Sequence, residues 1–195
     1  MRRILVSLGR RMIAARDGAA AIEFAFLAPI MVAMFFGAIE LSFAVTTERR
    51  VAQVAGSTGD LVARADRTIN VSEVTDIMQI GTYLLDSASI APLRIEISNV
   101  TSSPTDRRNT TEAWRCVFVG GTQQTTCTCP NVRFDIPEGL IGANDSVVVV
   151  KATYAYKPLG FGKILSEDGI PFETVRYLKP RTQSAKLRFS NNTVC

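Results

Sequence analysis

Residues 18–45 read GAAAIEFAFLAPIMVAMFFGAIELSFAV, behind the basic MRRILVSLGRRMIAARD of residues 1–17. From Phe24 to Ile39 no side chain is charged, and Leu41, Phe43 and Val45 extend the apolar run past Glu40. At about 1.5 Å of rise per helical residue, the stretch is long enough to cross a hydrocarbon layer of about 30 Å. It predicts a transmembrane helix over residues 19–45. Pro29 removes one helical hydrogen bond and predicts a kink there, while Ala33 and Gly37 form a small-xxx-small pair through which a second helix can approach. Glu23 breaks the pattern, because a charge inside lipid costs about 2.5–3.5 kcal/mol on insertion scales. Such a group calls for a partner.

The charges divide sharply at Gly18. The leader holds Arg2, Arg3, Arg10, Arg11 and Arg16 against Asp17, and the rest of the chain holds 17 basic and 17 acidic residues, so the whole net charge of +4 lies in the leader. A basic flank on one side of an apolar span stays in the cytoplasm. The domain after Val45 is therefore expected outside, in a bacterial periplasm or on a surface fibre. The basic overall balance gives no argument for nucleic acid, since the chain without its leader is neutral.

A cut after Gly18 makes Ala19 the new terminus and Glu23 the fifth residue. A short basic leader ending in Gly, then small residues, then Glu at the fifth position of an apolar helix resembles the class III signal of type IV pilins and pseudopilins, which a prepilin peptidase reads. The form GAAAIEFAFLAPIMVAMFFGAIELS is similar to TadE-like proteins, the minor pseudopilins of tight-adherence (Flp-type) pilus systems; the motif covers residues 16–45. The resemblance implies processing between Gly18 and Ala19, inner-membrane anchoring, and partnership with the prepilin peptidase and with other pseudopilins and pilins. It also implies an assembly role for Glu23, whose carboxylate meets the cationic amino terminus of a neighbouring subunit so that two groups costly in lipid neutralise each other. The residues alone leave other readings open. Glu23 can lie at headgroup level in an uncleaved anchor with its carboxylate reaching out to water. An ordinary secretory signal cut after Ala44 would use Ser42-Phe43-Ala44, but the acidic residue and the length of the apolar run speak against it.

Residues 46–195 are expected to form an α+β domain, an antiparallel sheet backed by the long N-terminal helix in a pilin-like plan. The helical period continues past the bilayer through Val51, Val54, Thr58, Leu61 and Ala65, although Gly56 and Gly59 weaken it. A second helix is predicted over Asn70 to Ala88, with Asn70 as N-cap, Glu73 three residues on, and Val71, Val74, Ile77, Leu84 and Leu85 on one face. Leu93, Ile95 and Ile97 predict a half-buried strand that ends in the polar run Asn99 to Thr111. Trp114, Cys116 and Phe118 predict another, closed by a turn at Gly120-Gly121. Val147 to Tyr156 reads as a central strand, broken by Lys157 to Gly162, and Phe172 to Leu178 and Ser184 to Phe189 each predict a short one.

The four cysteines, Cys116, Cys127, Cys129 and Cys195, all follow the membrane segment, as export requires. Closing Cys127 on Cys129 would make a tiny strained ring, so Cys116 is expected to join one of that pair and Cys195 the other, with Thr122 to Pro130 a pinned loop. Histidine is absent, which removes Ser-His and Cys-His nucleophile pairs and leaves only four thiolates for a zinc site. No phosphate loop or dinucleotide fingerprint occurs, Glu167-Asp168 reads as an exposed turn, and Arg49-Arg50 and Arg107-Arg108 read as solvated surface charge. No catalytic residue, metal or cofactor is therefore expected. The rival to a pseudopilin is an uncleaved single-pass anchor carrying a periplasmic binding domain.

Overall fold

The computed structural model describes residues 17–65, 68–85, 89–158, 169–181, 186–188 and 194–195. Expectations that fall on residues 1–16, 86–88, 159–168, 182–185 and 189 lie outside the described residues; they concern most of the leader, the end of the second helix, part of the break after Lys157, the Glu167-Asp168 turn and parts of the last strand.

Helix α1 (Asp17–Ala63) runs 47 residues without a break, Pro29 included. Its inner part is exposed throughout, with Phe24, Phe26, Met34 and Phe35 all more than 60% accessible. Its outer part is one wall of the core, where Val51, Val54, Ala55, Thr58 and Val62 are buried. The last turns therefore use Val62 where Leu61 was expected; Leu61 is 41% exposed, because the steps of four from Val54 and Thr58 lead to residue 62. Gly56 faces open space, but at Gly59 a Cβ would stand 2.5 Å from Leu178 Cδ1 and 2.9 Å from Val150 Cγ2. What reads in the sequence like a weak point of the helix is a place where it lies tight against the sheet.

After a short strand β1 (Thr68–Asn70), helix α2 (Val71–Tyr83) begins with the Asn70 backbone N–H donating to Glu73 Oε2 at 2.8 Å, the reciprocal contact of a capping box. It buries Val74, Met78 and Gly81. It runs back along the outer half of α1, with Gly81 against Thr58 and Val54 and the Leu85 carbonyl accepting from Arg50 Nη1 at 2.9 Å.

Six strands follow in one antiparallel sheet: β2 (Leu93–Ser102), β3 (Thr110–Val119), β4 (Gln124–Thr128), β5 (Val132–Arg133), β6 (Ser146–Tyr156) and β7 (Ile170–Leu178). The order is β4-β3-β2-β6-β7, with β5 also pairing to β3. A last strand, β8 (Lys186–Arg188), pairs in parallel with β1 as a separate two-stranded ribbon. The α+β architecture is as the sequence predicts, and β6 sits between β2 and β7 with both faces of its first half buried. The main core lies between the sheet and the two helices and holds Ile95, Ile97, Trp114, Phe118, Val148, Val150 and Tyr154. A smaller cluster of Val100, Ile141, Val147 and Val149 fills the opposite face.

Two further expectations are corrected. Residues 122–130 are not a loop: β4 occupies five of them, placing Cys127 opposite Cys116 on β3, and its main-chain N–H and C=O groups complete the edge of β3. The polar run from Asn99 is a connection only over residues 103–109. β2 continues to Ser102 and β3 starts at Thr110, because a register shift at Asn99/Val100 leaves Ala113 without an opposite partner and lets both strands go on. The turn expected at Gly120-Gly121 is present over residues 120–123; its left-handed residue is Gln123 (φ 52°), while Gly120 is required by a close approach, since a Cβ there would run into the Ile90 carbonyl.

Candidate membrane-crossing and assembly site

Residues 18 and 19, the expected processing junction, lie in the first turn of α1, where backbone N–H groups have no intrahelical acceptor. Gly18 is exposed and nothing lies within 4 Å of a Cβ built on it. Glu23 is the seventh residue of α1, one turn beyond Ala19. It is exposed, and among the described residues it has neither a hydrogen-bond nor an ion-pair partner. Gly37 is equally open, so among the described residues nothing packs on the small-xxx-small face with Ala33.

Ala20–Ala63 is long and apolar enough to cross a membrane, and none of its most apolar window is buried by the protein. That exposure follows from the architecture. The domain holds α1 only from Glu40 and Ala44 outward, where Ala44 packs on the core and Tyr156 Oη donates to Glu40 Oε1 at 3.2 Å. Burial is the main cause that pushes the Tyr156 phenol up to about 12, with the Glu40 charge and hydrogen bond adding to it. Tyr156 therefore stays the donor at any ordinary pH. The Tyr156–Glu40 contact was not legible in the sequence, because 116 residues separate the two side chains.

The cysteines pair as Cys116–Cys127 and Cys129–Cys195, one of the two arrangements the sequence left open. The first staples β3 to β4 across opposite residues with Cα atoms 4.1 Å apart, and the second ties the last residue to the end of the β3-β4 hairpin. A second feature missed by sequence reasoning is Glu112, fully buried on β3, which accepts from Ser98 Oγ at 2.5 Å and from Arg115 Nε and Nη2 at 2.8 and 2.7 Å. It is a structural ion pair closing the small outer core. At the opposite end of the sheet from Tyr156, a cleft of about 220 Å³ is lined by Arg107, Arg108, Arg133, Asp135, Glu138 and neighbouring aliphatic residues. Two of its arginines already face their own carboxylates, Arg108 to Glu138 and Arg133 to Asp135.

No curated protein and no solved structure matches the chain. The family model described as TadE-like protein does match, over residues 18–58. Those residues comprise the junction at Gly18, the acidic side chain, the apolar crossing and the turns of α1 that enter the core, which fits a membrane protein associated with tight-adherence pili. Through that segment the chain is TadE-like, and the sheet domain that follows is what it carries on the helix.

Proposed function

We propose that the protein is a minor pseudopilin of a tight-adherence (Flp-type) pilus. It is held in the inner membrane by α1 with its sheet domain on the periplasmic side, matured by a prepilin peptidase between Gly18 and Ala19, and used in initiation or assembly of the fibre. It is a substrate of the peptidase and not a catalyst, and it needs no cofactor. One observation supports this above the rest: Glu23 lies in the TadE-like segment, exposed on an apolar helix, with no partner among the described residues of its own chain. A carboxylate in that position is stable in lipid once a cation meets it, and cleavage after Gly18 creates a free amine at Ala19 of every subunit. A subunit docked in the wrong register leaves the pair open, so the same contact selects the position of each subunit.

The test is the intact mass of the exported protein together with a Gly18 variant. A pseudopilin begins at Ala19, and Gly18→Leu accumulates at full length and fails to support pili. Glu23→Leu is processed but fails in assembly. Recovery of working protein with residues 1–18 still attached, or pili formed normally by Glu23→Leu, overturns the reading.

A further inference from the structure

The bilayer and the domain share one rigid rod, and this fixes how far the domain stands from the lipid. Helix α1 has no linker between its exposed apolar part and its buried part. From Ala20 to Ile39 the rise is about 30 Å, the thickness of the hydrocarbon layer. The headgroup layer adds about 5–8 Å on each side, which is matched by the about 7.5 Å from Glu40 to Val45. Over this short interval the helix has two different sides. Leu41, Phe43 and Val45 are exposed at 66%, 52% and 38%, while Glu40 and Ala44 already touch the domain. The end of the sheet where β6 finishes and β7 begins therefore stands at the height of the headgroups, alongside apolar residues that the described residues leave exposed.

The chemistry of that end fits the height. Tyr156 is bonded to Glu40 and stacks on Phe172 with ring centroids 5.6 Å apart, and Tyr154 Oη donates to the Ser89 carbonyl at 3.0 Å. Beside them Ile170, paired with Tyr156, is 43% exposed, and Lys157 is exposed and has no ion-pair partner among the described residues. Tyr154 and Tyr156 are themselves buried and brace this end of the sheet from within, so its exposed surface is the aliphatic Ile170 beside the Lys157 ammonium group, a pairing that suits the interface between lipid chains and phosphates. We propose that this end of the sheet rests in the headgroup layer of the bilayer that α1 crosses, with Ile170 reaching the upper acyl chains, Lys157 meeting lipid phosphate, and the Tyr156–Glu40 contact marking where the helix leaves the hydrocarbon. The domain is then held upright against the membrane rather than free to swing. The proposal rests on α1 crossing a bilayer and on nothing in the assembly role.

Tryptophan placement in the full chain tests it, in phosphatidylcholine bilayers with or without bromine on the acyl chain near the ester. Three variants are compared, Ile170→Trp, Glu138→Trp at the far end of the sheet, and Phe35→Trp in the apolar run, each over the common background of the buried Trp114. The emission added by Ile170→Trp is blue-shifted and loses about half its intensity to shallow bromine, that of Phe35→Trp is quenched most by bromine deeper in the chain, and that of Glu138→Trp is unaffected. If Ile170→Trp behaves like Glu138→Trp while Phe35→Trp is quenched, the seating is wrong and the membrane crossing stands. If none of the three is quenched, both fall. Lys157→Trp, at an exposed position, gives the same readout should Ile170→Trp not fold.

Discussion

Two glycines three residues apart on α1 offer the sharpest test of how the helix meets the sheet. Exchanging Gly for Ala inside a helix gains about 0.8–1 kcal/mol in propensity, by restricting the unfolded chain and fixing the helical one. At Gly56 nothing lies within 4 Å of the added methyl, so Gly56→Ala keeps the whole gain. At Gly59 the same methyl meets Leu178 Cδ1 at 2.5 Å and Val150 Cγ2 at 2.9 Å. Leu178 is only partly buried and can turn away, but Val150 is fully buried on β6, with a branched carbon that fixes its rotamer. Overpacking of this kind costs about 1–3 kcal/mol, which leaves Gly59→Ala roughly 0–2 kcal/mol less stable than the parent after the propensity gain.

The two variants should thus differ by about 1–3 kcal/mol, and at about 2–4 °C per kcal/mol for a domain of this size the Gly56→Ala protein melts several degrees higher. Near-ultraviolet circular dichroism of Trp114, the single tryptophan, follows the transition in detergent. Equal melting temperatures, or a Gly59→Ala protein above Gly56→Ala, would refute the docking of α1 on β6 and β7. The rigid attachment of domain to membrane helix would go with it.

Removing the Cys129–Cys195 bridge as the double serine variant should destabilise the domain by about 4 kcal/mol on the chain-entropy relation, against about 3 kcal/mol for Cys116–Cys127, because the first closes a separation of 66 residues and the second one of 11. Urea unfolding of the two variants ranks them. Ser98→Ala takes one hydrogen bond from the fully buried Glu112 and should lower stability by about 1–3 kcal/mol in the same assay, whereas Arg94→Ala, whose pair with Glu96 is half exposed, should change it by less than about 1 kcal/mol. Tyr156 should ionise only near pH 12 in an ultraviolet titration; its value is raised first by burial and then by Glu40, so the stability tied to the neutral phenol is fully present below pH 10 and is lost between pH 10 and about 12, a loss Tyr156→Phe should not show. Asp145 is held below its ordinary value of 3.8, first by the hydrogen bond from Lys179 and then by the Ser146 and Gly142 N–H groups, against burial. Its contribution is present above that value and lost as the pH falls through and below it, so Lys179→Met should unfold at a higher pH than the parent on acidification.

How much of this was legible depends on how local each signal is. The apolar run, the capping contact of Glu73 and the alternation in β3 and β6 are set by neighbours in sequence, and all are found in the structure. The Asn99–Thr111 run misled because its polar residues are strand residues with partners elsewhere: Ser102 Oγ donates to the Gly142 carbonyl at 2.6 Å, and Thr101 faces Thr111. The shift at Asn99/Val100 also breaks parity. Glu112 has the spacing of Trp114 and Cys116, yet it lies opposite Val100 and bonds Ser98, on the face away from the helices. β4 was hidden because Gln-Thr-Thr-Cys-Thr has no apolar alternation; the partner strand and the disulfide decide its state. Gly59 was read as a weakness because propensity is local, whereas its reason is a contact with Val150, 91 positions away.

The two acids that bracket the apolar run of α1, Glu23 and Glu40, show what such a helix needs at its ends. Glu23 and Glu40 are 17 residues, about 25 Å, apart, with only uncharged residues between them. A uniformly apolar rod has no preferred depth in lipid, because sliding by a turn exchanges one apolar side chain for another. Glu40 removes that freedom at the outer end, since a slide inward would pull the Tyr156 contact and the whole sheet edge into hydrocarbon. Glu23 sets a matching demand at the inner end, but the demand is not met within the described chain. On the proposed seating the domain alone sets the depth of α1, which leaves the inner carboxylate to be answered by the proposed neighbouring subunit that arrives later. An assembly contact has this requirement: it must be absent in the isolated subunit and favourable only when the next one is in place.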